Sequence, residues 1–258
     1  MKIIKFVKLK DNKYSVEFED DLKIKLYDDV IVKYNLLVNK EMDEQTFNDI
    51  TSYNDKLGAY YKALKYITKK LRTEKEIYKY LEKDFDNEVI INTIERLKND
   101  GYLNNDIYLK CYFNDQINLG NNGPGKIKDE LIKLGFSEDE FKDILDEIDD
   151  DVWISKLDKI ISKKIRNNHQ YGTHKLKEKL LYDMSNLGYY KWMIEEVISK
   201  QEFSEDNLIL EKEYRKLYNK LSRKYDGSEL FFQIRNKLLL KGFSYDDVNN
   251  FVNEKKNF

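Results

Sequence analysis

Over its first 26 residues the chain alternates apolar and polar positions: Ile4 and Phe6, then Tyr14, Val16 and Phe18, then Leu22, Ile24 and Leu26. A two-residue period sends every second side chain to one face of a strand, and the polar DNK and EDD steps between the runs supply turns. The pattern predicts a small antiparallel sheet. From "YDDVIVKYNL" onward the period lengthens to that of a helix, and the polar stretch "NKEMDEQTFNDITSYN" leads into the remainder.

Beyond residue 57 the pattern repeats. Four segments carry an apolar pair four residues apart (Ile77 and Leu81, Ile127 and Leu131, Leu176 and Leu180, Leu230 and Ile234), with first members spaced by 50, 49 and 54 residues. Residues four apart stack on one helix face, so each pair can bury a stripe against its neighbours. An earlier apolar helix precedes each pair: Leu64, Ile67 and Leu71; Tyr108, Cys111 and Tyr112; Leu157, Ile160, Ile161 and Ile165; Tyr214, Leu217 and Leu221. A third follows, as in Phe141, Ile144, Leu145 and Ile148, or Val248, Phe251 and Val252. The expectation is a mainly α protein with tandem three-helix units at 57–103, 104–150, 151–203 and 204–258. These would form an extended curved array behind a β-rich N-terminal module with a short helix at 1–56.

Glycine punctuates the units. Gly101, Gly135, Gly188 and Gly242 each end a helical pattern and are followed by Tyr102, Phe136, Tyr189 and Phe243. Glycine accepts the left-handed conformation just past a helix, and the next, apolar residue folds back on the last turn. A different glycine cluster, "GNNGPGK" (120–126), matches G-x-x-x-x-G-K, the phosphate-cradling loop of nucleotide hydrolases. Ile127 occupies the place of the Ser or Thr that would hold magnesium, and "DIYLKCYFNDQINL" before it has helical rather than strand spacing. The other repeats read "RTEKEI", "YGTHKL" and "YDGSEL" at this point, where Thr73, Thr173 and Ser228 are expected helix caps. Pro124 suits a first helical turn. The cluster reads as the start of a helix.

Composition agrees with long helices: Gly 10 and Pro 1 leave few tight turns, and 36% of residues are charged. Lysine and arginine number 46 against 48 acids, a net charge of −2, so nothing global marks a nucleic-acid binder. Cys111 is alone, which excludes an internal disulfide or cysteine zinc cluster. No apolar run approaches the ~20 residues of a membrane span and the start lacks a signal-peptide core, so a cytoplasmic protein is expected. His169 and His174 have no further ligand at metal spacing. No acid lies in an apolar setting that would tune it for proton transfer, and no nucleophile–histidine arrangement is apparent. The reading is a non-enzymatic protein without a cofactor.

Charge is unevenly spread. "SEDEFKDILDEIDDD" (137–151) is acidic, whereas 155–179 holds eight Lys/Arg against two acids, and "KEYRKLYNKLSRK" (212–224) is similar, with Tyr214, Tyr218 and Tyr225 among its neighbours. Lysines interleaved with tyrosines can meet phosphates and bases, but they can also be a solvated face over an aromatic core. The candidates for partner or DNA contact are Lys163, Lys164, Arg166 and Lys175 in the first run, and Arg215, Lys216, Lys220 and Arg223 in the second.

With the repeat in view, the chain resembles the RecX family, regulators of the bacterial recombinase RecA. The resemblance rests on "LRTEKEIYKYL", "IERLKNDGYLNNDIYLKCYF" and "GPGKIKDELIKLGF" in that order. The segments "YGTHKLKEKLLYDMSNLGYY" and "DGSELFFQIRNKLLLKGF" extend the theme, and the strand-rich start resembles the N-terminal extension of longer, Gram-positive members. Asn105 stands where the family usually has Asp, and Leu109 where it usually has Ala. The resemblance implies a monomer that lodges in the groove of a RecA–DNA filament and restrains strand exchange and the SOS response, with weak direct DNA contact secondary. The other reading is a stand-alone helical nucleic-acid-binding protein with no recombinase partner.

Overall fold

A computed structural model describes residues 1–203 and 206–256. The expected start of the last unit at 204, and its end at 258, lie outside these. Among the described residues the chain forms three strands and thirteen helices. Strands β1 (Ile3–Lys8), β2 (Lys13–Phe18) and β3 (Lys23–Tyr27) make one antiparallel sheet in the order β1-β2-β3. Asp11 and Asn12 join β1 to β2 with φ of 57° and 55°, the paired left-handed residues that match a turn to strand twist. Val16, Phe18 and Leu26 are buried, as the alternation predicts, but Ile4 is 56% exposed and Ile3 is buried instead. Ile3 pairs with Phe18 and Phe6 with Val16, so three steps on β1 oppose two on β2. This bulge moves the buried position back by one residue.

Two compact units, Met1–Cys111 and Tyr112–Phe258, divide the chain. In the first, α1 (Asp28–Lys33) follows the sheet, and α2 (Glu44–Ile67), α3 (Glu74–Leu81) and α4 (Asn87–Asn99) pack on one another. Helix α2 runs uninterrupted through 56 and 57, where the hydrophobic pattern put the end of the N-terminal module. Its early residues belong to the core under the sheet (Ile50, Leu57) and its later ones to the core with α3 and α4 (Ala59, Tyr60, Ala63). Leu71, expected on its apolar face, lies past its end and is exposed. Thr73 caps α3: its hydroxyl accepts from Glu76 N–H and the Glu76 carboxylate accepts from Thr73 N–H, satisfying two donors that a helix start leaves free.

The division falls within α5 (Asn105–Asn118). Leu109 and Phe113 are its buried residues, while Cys111 is exposed and Tyr108 and Tyr112 are half-buried. The expected stripe is thus rotated, because Leu109 and Phe113 also stand four apart and are the more apolar pair.

The second unit continues with α6 (Pro124–Leu134), α7 (Glu138–Asp146), α8 (Asp150–Arg166), α9 (Thr173–Asn186), α10 (Lys191–Ser199), α11 (Asp206–Leu221), α12 (Gly227–Leu240) and α13 (Tyr245–Lys256). Helix α10 packs on both α8 and α9, and α12 on both α11 and α13. All eight residues of the repeated apolar pairs are buried, none more than 7% exposed. The four helix-ending glycines all have positive φ, from 76° to 104°. At Gly135, for example, Phe136 N–H donates to the Leu131 carbonyl and Gly135 N–H to that of Ile132, which closes the helix with a residue only glycine adopts cheaply. Phe136, Tyr189 and Phe243 fold back and are buried, but Tyr102 is 52% exposed and Leu103 is buried in its place. Thr173 and Ser228 are not caps. Gly172 and Asp226 precede their helices, and the Thr173 N–H and hydroxyl go instead to the carboxylate of Asp206, at 3.1 and 2.9 Å.

Candidate partner-binding surface

Helix α8 concentrates charge at its two ends for a local reason. Asp150 and Asp151 lie in its first turn and Lys163, Lys164 and Arg166 in its last, where each sign complements the helix dipole. Trp153, Leu157 and Ile161 are buried on its other face, so the three cations are left exposed. Lys163 and Lys164 border a cleft of about 470 Å³ together with Tyr171, Lys179 and Asp183. Lys164 donates to Asp183 at 2.7 Å, and the Lys179 ammonium sits 5.6 Å from the Tyr171 ring centre. Among the described residues Lys163 and Lys179 have no ion-pair partner. Lys179 was not singled out by sequence, since its place beside Lys163 depends on how α9 lies along α8. Arg166 turns elsewhere, to a separate cleft of about 680 Å³ with His169, Gln201 and Leu208.

The second basic run divides differently. Arg215 pairs with Glu211 at 2.6 Å, and both are on the outer side of α11. Lys216 pairs with Glu213 at 2.6 Å, and Glu213 is 2% exposed. Lys241, at the end of α12, also donates to Glu213. Burial raises the Glu213 pKa, but the hydrogen bonds and charges of Lys216 and Lys241 outweigh it and hold the carboxyl below its ordinary value. Lys216, though itself exposed, is therefore engaged by a buried carboxylate and is not a free docking charge. Lys220 and Arg223 are exposed and, among the described residues, form no ion pair. Lys175 is half-buried at the start of α9 and pairs with Glu178 at 2.7 Å.

The glycines around these helices make joints. Gly123 N–H donates to the Leu187 carbonyl at 2.7 Å and Gly125 N–H to Gly188 at 3.0 Å. A Cβ on Gly123 would lie 2.7 Å from Tyr189 N and 2.8 Å from the Gly188 carbonyl. One repeat later, Gly172 N–H donates to Lys241 at 2.9 Å, and a Cβ on Gly172 would lie 2.6 Å from the Gly242 carbonyl carbon. Backbone meets backbone at both places, so the start of α6 rests on the end of α9 and the start of α9 on the end of α12. This explains "GNNGPGK": a helix, α5, precedes it, Gly123 is the N-cap, Pro124 is the first residue of α6, and the glycines admit a neighbouring chain segment. From α8, Lys156 steadies the loop, donating to the carbonyls of Gln116 (2.5 Å) and Asn122 (3.3 Å). Among the described residues no group of three His, Cys, Asp or Glu side chains is placed to hold a metal ion, and no helix is long and apolar enough to cross a membrane.

Comparison with known proteins bears on this arrangement directly. The family model described as RecX, first three-helix domain, matches residues 59–97, which lie in α2 to α4. A regulatory protein RecX of Streptococcus agalactiae serotype III (strain NEM316) is 32% identical, over 98% of this chain and 99% of that protein. One from Lactococcus lactis subsp. lactis (strain IL1403) is also 32% identical, over 90% and 88%. A crystal structure of regulatory protein RecX covers 78% of this chain and all of its own, with a TM-score of 0.64 at 21% identity. That of RecX from Lactobacillus salivarius covers 57% of this chain with a TM-score of 0.52. These relatives are named as regulators, not as enzymes, and similarity at this level over nearly the whole length decides the matter: the chain belongs to the RecX family of regulatory proteins.

Proposed function

We propose that this protein binds RecA and RecA–DNA filaments and restrains recombinase activity, and with it DNA repair and the SOS response. The observation that carries the reading is the near full-length similarity to regulatory proteins RecX. It acts as a monomer in the cytoplasm, through four three-helix units, with the N-terminal sheet module appended. The docking surface is the cleft between α8 and α9, where Lys163 and Lys179 have no carboxylate partner among the described residues and offer charge to acidic protein surface or DNA phosphate. Lys220 and Arg223, exposed and without an ion-pair partner among the described residues, are further contacts; Lys216 is not, because Glu213 already engages it.

The test is the DNA-dependent ATP hydrolysis of RecA, with the protein added at ratios too low to coat the DNA. A reduced rate at such ratios supports filament capture. An effect that appears only once the DNA is coated would favour the stand-alone nucleic-acid binder instead.

A further inference from the structure

A third cleft, of about 680 Å³, lies in the first unit between the sheet and α2. Its wall is fixed by Asn54 on α2, whose side chain accepts from Tyr27 N–H at 3.1 Å and donates to the Lys25 carbonyl at 3.2 Å. The edge strand β3 is thereby pinned to the helix. Four lysines line the space: Lys13, Lys25, Lys62 and Lys65. Lys62 is committed to Asp84, and Lys13 sits 4.5 Å from the Tyr27 ring centre. Lys25 and Lys65 are exposed and have no ion-pair partner among the described residues, although Asp11 and Asp55 border the same space.

Aromatic surface accompanies the charge. Phe85 is half-buried and Tyr61 more exposed; the Tyr61 hydroxyl is held by Asp29. Gly58, inside α2, also lines the cleft, and a Cβ there would meet Phe85 at 3.5 Å and Tyr27 at 3.7 Å. Glycine is unfavourable within a helix, and the Cβ it lacks would stand in ordinary van der Waals contact with both rings. Unpaired cations and aromatic side chains lining one space, with a volume in the range of small-ligand sites, are the parts of a surface that takes an unpaired base with its phosphate.

We propose that the cleft between β3 and α2 binds a nucleotide unit of single-stranded DNA, with Lys25 and Lys65 on the phosphates and Phe85 and Tyr61 against the base. This site is independent of the α8–α9 surface and of RecA. Anisotropy of a labelled oligothymidine of about twenty nucleotides, titrated with the full chain without RecA at low salt, tests it. The expected result is saturable binding that weakens about tenfold in Lys25→Ala/Lys65→Ala and shows a shallower salt dependence. Lys25→Arg/Lys65→Arg should keep the wild-type affinity, and so should Lys40→Ala/Lys110→Ala, a control with the same loss of charge outside the cleft. Thermal melts of each variant report the fold. No binding by the wild type, equal weakening in the control, or unchanged affinity in the alanine pair would overturn the proposal. Displacement of the oligonucleotide by thymidine 5′-monophosphate at equal nucleotide concentration would assign the cleft to a free nucleotide and overturn the strand.

Discussion

At the scale of single residues, Glu213 has the environment with the clearest consequence. A carboxylate that is 2% exposed is stable there because Lys216 and Lys241 both donate to it. Replacing Lys241 by Met leaves that charge with one partner, and a loss of about 1.5–3 kcal/mol, the worth of one hydrogen bond to a charged group, is expected in a denaturant melt. Lys216→Glu should destabilise as well, whereas reversal of the exposed Arg215 should change stability by less than ~1 kcal/mol. The pH dependence follows from the direction of the shift. Glu213 has a folded pKa below the ordinary 4.5, so its contribution is present above the unfolded value and lost as pH falls through the folded one. Glu213→Gln should therefore melt below the wild type at neutral pH, and the gap should close in acid. A gap that persists at pH well below the folded value would mean the pairing is not what stabilises this site.

Among elements, the helix ends separate two effects of glycine. At Gly101, φ is 76° and nothing lies within 4 Å of an added Cβ, so Gly101→Ala should cost only the conformational term, about 1–2 kcal/mol. Gly188 has a φ of 82°, and an added Cβ would lie 2.5 Å from the Lys126 Cβ. Gly188→Ala should cost clearly more, since the start of α6 must also move. Equal losses in the two variants would show that the joint between α6 and α9 yields freely. Within the helices, Leu131 and Leu180 are 0% and 1% exposed at matching places in the repeat, and truncating either to Ala should cost ~2–5 kcal/mol.

For the whole molecule, fold and function can be tested apart because the α8–α9 cations are on the outside. Lys163→Glu/Lys179→Glu leaves the Lys164–Asp183 pair intact and should shift stability by less than ~1 kcal/mol. The same variant should lose most of its effect on RecA's ATP hydrolysis, and the wild-type effect should decline as salt is raised. Wild-type restraint by this variant at wild-type concentrations would place the docking surface elsewhere.

What the sequence determined by itself was periodic or local. The apolar pairs at Ile77, Ile127, Leu176 and Leu230, the left-handed glycines and the strand alternation each depend on a few neighbouring residues, and period and backbone sterics are enough to read them. Family membership followed from the order of those same segments. Tertiary structure decided whatever depends on residues distant in the chain. The bulge that buries Ile3 rather than Ile4 is set by pairing with β2. Leu109 and Phe113 displace Cys111 from the core because several residues of α5 sit at helical spacing and only the neighbours choose among them. Among the basic residues, identical in the one-dimensional pattern, Lys216 is engaged by Glu213 and Lys241 lies with it, Arg166 faces a different cleft, and Lys179 joins Lys163. A charge has no periodicity of its own. Its role follows from which other charges the packing brings within a few ångströms, and that is fixed only when the helices meet.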